Sequence, residues 1–251
     1  MKIGLVLSGG GARGISHIGV MKALEELGVP IHCISGTSVG AIIGALYAAG
    51  YSPDKILEII LAMRIFRSMR PAWTLKGLLS LEGLREMLLN YIPHNNFESL
   101  NLPLTVAATD IKKGQSAYFS EGELIPALLA SCCVPAVFSP VQLNGGVYVD
   151  GGIMDNLPAS PIRSQCDFLI GLHCNYISAE FDVKNFRAVI ERSLLMAING
   201  NTAVSKGLCD ILIEPIEAGK ISTFDLGRAR ELFDIGYQFT KQNFKEIDFR
   251  P

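Results

Sequence analysis

A serine acts as a nucleophile only where its hydroxyl stands clear of the backbone and a base waits to take its proton. Gly36-Thr37-Ser38-Val39-Gly40 meets the first condition in its pattern, G-x-S-x-G. The apolar run Ile31 to Ile34 leads into it and the alanine-rich run Ala41 to Gly50 follows. Strand, tight turn and helix in that order form the frame of a nucleophile elbow, in which a strained backbone lifts the hydroxyl off the sheet. Flanking glycines let neighbouring backbone pass without a Cβ clash. The helix that follows directs free N–H groups and its positive dipole end at the site, which favours a developing oxyanion.

A second chemistry-bearing stretch, Gly9-Gly10-Gly11-Ala12-Arg13-Gly14, follows the strand-like run Lys2 to Ser8. It fits G-x-G-x-x-G, the dinucleotide fingerprint. That fingerprint also needs an acid at the end of the next strand to hold a ribose. The next strand ends at Ser35-Gly36, and neither an acid nor an arginine occurs from Leu27 to Pro53. A P-loop is excluded because the loop lacks lysine. What remains is a cradle of backbone N–H groups opposite Ser38, each such donor stabilising an oxyanion by about 3–4 kcal/mol, with a plain strand–helix turn as the alternative.

The base is sought among four histidines and the acids. His17 falls in the first helix and His32 inside the second strand, where packing roles are expected; His94 lies in an irregular section; His173 ends a strand beside Cys174. None has the setting of a triad base, with His173 retaining the residual claim. Asp150 ends the apolar run Gly146 to Val149 and precedes two glycines. Strand ends are where active sites collect in parallel sheets. Asp110 also ends a strand and competes; a turn-forming role is the alternative for Asp150.

These residues must be positioned by a sizeable scaffold. The chain has 251 residues, 49% hydrophobic and 18% charged. That suits one large globular domain over residues 1–251. A net charge of −2 implies no polyanion partner, so nucleic acid is not expected. Six cysteines without a C-x-x-C pair read as buried free thiols in a reducing compartment. The N-terminus does not read as a signal peptide. The charge-free stretch between Glu26 and Asp54 is interrupted by Pro30 and several glycines, so it reads as buried strand and helix, not a membrane span. A soluble, cytoplasmic protein is expected.

Beyond the elbow, helices are expected from Pro53, over about Glu123 to Ser131, Val183 to Gly207 and Leu226 to Lys245, with strands at Leu104 to Ala108, Gly146 to Val149, Asp167 to Cys174 and Cys209 to Pro215. Such alternation predicts a mainly parallel sheet covered on both faces. The section from Arg64 to Lys76 carries Arg64, Arg67, Arg70, Phe66 and Trp73 without an acid. It suits a lipid-facing flap, with an ordinary solvated loop as the alternative.

Taken together, Gly9-Gly10-Gly11-Ala12-Arg13-Gly14, Gly36-Thr37-Ser38-Val39-Gly40 and Asp150-Gly151-Gly152, in this order, resemble the patatin-like phospholipases. Ala108-Thr109-Asp110, the run Ser131 to Val141 with Pro135, Phe138 and Pro140, Asn156 with Pro158, and Cys209 to Pro215 add to the resemblance, which is weakest between about residues 64 and 100. It implies a three-layer α/β/α sandwich and a Ser–Asp dyad, with Ser38 as nucleophile and Asp150 as base. It also implies an oxyanion hole from Gly9, Gly10 and Gly11, braced by Arg13 and helped by the Val39 N–H. The activity implied is calcium-independent hydrolysis of acyl esters in phospholipids, lysophospholipids or related lipids; no cofactor or metal is expected, and transient membrane-surface contact would come from the Arg64 to Lys76 flap. The alternative is a patatin-shaped regulatory or partner-binding protein whose activity is vestigial.

Overall fold

The computed structural model describes residues 1–62, 71–74, 77–79, 81–179, 183 and 186–245. The strands are β1 (Ile3–Leu7), β2 (Ile31–Thr37), β3 (Pro71–Thr74), β4 (Gly77–Leu79), β5 (Leu104–Asp110), β6 (Gln115–Phe119), β7 (Val141–Leu143), β8 (Gly146–Asp150), β9 (Phe168–Leu172) and β10 (Ile211–Ile213). The α-helices are α1 (Ile15–Glu26), α2 (Val39–Ala48), α3 (Pro53–Ala62), α4 (Glu82–Tyr91), α5 (Leu124–Ser131), α6 (Ser160–Arg163), α7 (Phe186–Leu208) and α8 (Ala229–Asn243). Arg64 to Lys76, the candidate flap, lies outside the described residues save the backbone of β3, which pairs with β4.

Eight strands form one sheet in the order β10-β9-β1-β2-β5-β8-β7, with β6 also on β5. The pairs from β10 through β5 are parallel. Strands β6, β7 and β8 pair antiparallel. The sheet, expected to be mainly parallel, is parallel on the side that carries β1 and β2 and antiparallel at β6, β7 and β8.

Side chains alternate across the sheet as the pleat demands. Leu5, Leu7, Ile34, Leu104, Val106, Ile170, Leu172 and Ile213 enter the larger core, packed by α1, α2, α3, α5 and α8. Val6, Cys33 and Leu169 point to the other face, against Leu157, Ala159, Ile162 and Leu208. Layers of helix on both faces make this the expected α/β/α sandwich, with a thinner second layer built from the short α6 and from α7.

His32 is a correction. Its place in the sequence predicts packing inside β2, but the residue is exposed, and its Nδ1 accepts the Ile3 N–H at 3.0 Å. The pairing explains this: Ile3 faces Ile31 and Gly4 faces Cys33, so His32 is the extra residue of a bulge. No helix among the described residues is long and apolar enough to cross a membrane. All six cysteines are free thiols, four of them buried.

Candidate active site

Two strand ends meet on one edge of β5. Strand β6 covers the other edge from Val106 to Asp110. Strand β2 therefore shares the remaining edge with β8: β2 pairs along Leu104–Ala107, its Thr37 facing Ala107, and β8 pairs along Ala108–Asp110, its Asp150 facing Ala108. The two strands run towards each other and stop at neighbouring rungs. Ser38 follows Thr37 directly, so hydroxyl and carboxylate are brought together by register alone. Asp150 arrives on an antiparallel strand, not at the end of a parallel one as its sequence context implied.

The elbow is strained as G-x-S-x-G predicts. Ser38 has φ 54° and ψ −127°, a conformation that non-glycine residues rarely hold. A Cβ on Gly40 would stand 2.5 Å from the Leu7 carbonyl oxygen, so only glycine lets α2 start this close to β1. The strain is held from outside: the Ser38 N–H donates to Ser131 Oγ at 2.8 Å, and Ser131 donates in turn to the Ala107 carbonyl at 2.6 Å. Ser131 ends α5, and nothing local in the sequence marks it as a strut for a residue 93 positions away.

The Ser38 side chain lies close enough to the Asp150 carboxylate to favour its charged form. Asp150 is buried, 8% exposed, and accepts the Gly152 N–H at 2.8 Å; its own N–H donates to the Cys133 carbonyl, and its carbonyl accepts from Thr109 Oγ1. Burial pushes its carboxyl up to about 6, against the nearby Ser38 hydroxyl and the Gly152 N–H, which favour the charged form. Burial beside Asp150 pushes the Cys132 thiol well above the usual thiol range. The turn after Asp150 is stitched to β2 by Thr37 Oγ1 on the Asp155 carbonyl and Ser35 Oγ on the Pro158 carbonyl.

The glycine loop crosses directly over the serine: a Cβ on Gly9 would lie 3.2 Å from that of Ser38. The Gly9 N–H is already committed to the Asn156 carbonyl at 3.2 Å. The N–H groups of Gly10 and Gly11 meet no acceptor among the described residues. Gly11 holds a positive φ, and a side chain there would strike the Thr223 carbonyl. Arg13 is buried and its Nε donates to the Ile221 carbonyl at 2.6 Å, while its N–H donates to the Gly10 carbonyl; it ties the loop to the segment before α8. Val39 opens α2, so its N–H has no acceptor within the helix.

His17 and His173 are occupied elsewhere. His17 Nε2 lies 3.0 Å from the Ser8 carbonyl oxygen, and full burial pulls its pKa down to about 4. His173 bonds through Nδ1 to Glu214, which Lys206 also binds, and burial lowers it. Asp110 is a turn former: its Oδ1 accepts the N–H groups of Lys112 and Lys113. No group of three or more His, Cys, Asp or Glu side chains that could hold a metal occurs among the described residues.

Comparison with known proteins gives the family. Residues 5–162, which run from β1 through the elbow and the Asp150 turn, match the family Patatin, described as patatin-like phospholipase. The chain belongs to the patatin-like phospholipase family. An uncharacterized NTE family protein of Mycobacterium tuberculosis is 35% identical over 177 residues, 69% of this chain and 49% of that protein. Human patatin-like phospholipase domain-containing protein 6 is 28% identical over 278 residues, covering 96% of this chain and 20% of the relative. Lysophospholipase NTE1 of Coccidioides immitis is 27% identical over 276 residues, covering 96% and 17%. The chain thus spans half or less of these relatives. Among solved structures, VipD from Legionella pneumophila shares the fold, with TM-score 0.54 and 17% identity over 97% of this chain and 68% of VipD.

Proposed function

We propose that this patatin-like chain is a serine acyl hydrolase of lipid esters that works through a Ser38–Asp150 dyad. The observation that carries the reading is the register that brings Ser38, held at a strained elbow, to the end of β8 beside the buried Asp150 carboxylate, whose pKa is raised to about 6.

As Ser38 Oγ attacks the ester carbonyl carbon, Asp150 accepts its proton. The carbonyl oxygen takes the negative charge and receives the Gly10 and Gly11 N–H groups, with Val39 N–H from the start of α2. Gly9 supplies the close approach, its own N–H being spent on Asn156. Collapse of the tetrahedral intermediate breaks the bond to the leaving alkoxide, which takes the proton from Asp150 and departs as an alcohol. Water then attacks the acyl-enzyme, Asp150 accepts its proton, and Ser38 Oγ leaves and is reprotonated, releasing the fatty acid.

A raised carboxyl pKa suits this role, since a base works best near the operating pH. Phospholipids and lysophospholipids are the substrate class that the family and the fungal lysophospholipase relative favour. Ile153 and Met154, exposed beside the Asp150 turn, give an apolar border consistent with an acyl chain. Turnover of a panel of lysophospholipids tests the reading: release of fatty acid is expected from the wild type, and a Ser38→Ala protein is expected to be slower by about 10⁵-fold in kcat. Equal turnover by the two proteins would remove Ser38 from the chemistry.

A further inference from the structure

The Gly9–Gly10 peptide decides which way the loop presents its donors. In a planar trans peptide the carbonyl and the following N–H point in opposite directions. The Gly9 carbonyl is held on the inner side of the loop by Asn175 Nδ2 at 2.7 Å, with Asn156 Nδ2 and Cys174 Sγ each at 3.5 Å. Asn175 supplies the shortest of these contacts and is 1% exposed. It is held in turn from α7, where Asn199 Nδ2 donates to the Asn175 carbonyl at 2.7 Å. At the other end of the same peptide, the Gly10 N–H has no acceptor among the described residues.

We propose that Asn175 is the positioning residue of the oxyanion loop: it clamps the Gly9 carbonyl inward and thereby keeps the Gly10 N–H turned towards Ser38, with Asn199 holding Asn175 in register. This rests on the acyl-hydrolase reading above. The competing state is a rotated peptide, which would put the Gly9 oxygen where the oxyanion forms and replace attraction by repulsion. The donor matters once charge develops on the substrate oxygen, so losing it lowers kcat and leaves ground-state binding nearly unchanged. An asparagine that merely supported the loop would instead lower thermal stability without selecting the charged species.

Asn175→Asp is the sharpest variant. It keeps the shape, removes the donor and sets an acceptor against the Gly9 oxygen. Its kcat for a lysophospholipid is expected to fall about 10²–10³-fold, the range for loss of one oxyanion donor, with KM within about threefold by the same argument. Affinity for a trifluoromethyl ketone lipid analogue, which forms an anionic tetrahedral adduct with Ser38, is expected to fall in step. Asn199→Ala, at a half-buried position, is the second variant and carries the test if Asn175→Asp does not fold; about a tenfold loss in kcat is expected, with the same split. A folded variant that keeps more than half of the wild-type kcat, or one whose loss lies in KM with trifluoromethyl ketone affinity unchanged, overturns the proposal. A wild-type protein that neither turns over lysophospholipid nor binds the ketone overturns the enzyme reading itself, which is a separate result.

Discussion

At the scale of single residues, the proposed base Asp150 sets stability against the activity proposed for it. Burial raises its pKa from 3.8 to about 6, so the folded protein binds this proton more tightly than the unfolded chain. The contribution to stability is fully present below about pH 4 and is lost as pH rises through about 6. Near pH 7–8 the ionised, buried carboxylate destabilises the fold by about 3 kcal/mol, at about 1.4 kcal/mol per unit. Asp150→Asn is therefore expected to be more stable than the wild type in urea titrations at pH 8, by up to that amount, with the difference shrinking towards pH 4. It is also expected to lose more than about 10³-fold in kcat. In the wild type, kcat/KM should fall about tenfold per unit below pH 6 and reach a plateau above about pH 7. From the sequence alone a limb near there points to His173 or His17 unless burial has raised the Asp150 carboxyl; with His17 at about 4, His173 lowered and Asp150 raised to about 6, Asp150 is the group that titrates in that range.

At the scale of elements, the site is made by where strands stop. The elbow was legible because strand, G-x-S-x-G and helix are local in the chain. Asp150 was legible as a strand end, but the direction of β8 was not, since a short apolar run carries no sign of which neighbour it pairs with or in which sense. Gly9 was legible as part of the loop, whereas the commitment of its N–H to Asn156, far along the chain, was not. Ser131, Asn175 and Asn199 stayed hidden for the same reason: each acts across a long sequence separation on a backbone group, and nothing in its local sequence names that partner. His32 escaped because a one-residue bulge reverses inside and outside. Ser131→Ala would leave the Ser38 N–H and the Ala107 carbonyl without their partner. A loss of about 2 kcal/mol in unfolding free energy is expected by denaturant titration. A roughly tenfold drop in kcat at similar KM is expected in steady-state assays, because the elbow loses its outer tie.

At the scale of the whole molecule, the stretch matched by the family ends at Ile162, yet the sheet does not. Strands β9 and β10 pair beyond β1, and α8 packs along α1 so closely that a Cβ on Gly19 would lie 2.0 Å from the Phe233 carbonyl and one on Gly236 would lie 2.0 Å from the Ser16 carbonyl. These are backbone-to-backbone contacts with no flexible side chain to give way. Gly236→Ala is expected to destabilise the protein by about 2–3 kcal/mol or more, read as a lowered Tm. A chain ended at Ile162 would uncover Leu5 and Leu7 on β1 and is expected to show no cooperative thermal transition by circular dichroism. The same C-terminal part supplies Asn175 and Asn199 behind the glycine loop and the Ile221 carbonyl that receives Arg13.

The central claim is that Ser38 is an activated nucleophile and Asp150 its base. Reaction with a fluorophosphonate probe, followed by mass spectrometry of the modified peptide, tests it most directly. The account predicts one adduct per chain on Ser38 in the wild type, formed at least about 10²-fold more slowly in Asp150→Asn. No adduct on a folded protein, an adduct on another residue, or an unchanged rate in Asp150→Asn would contradict it.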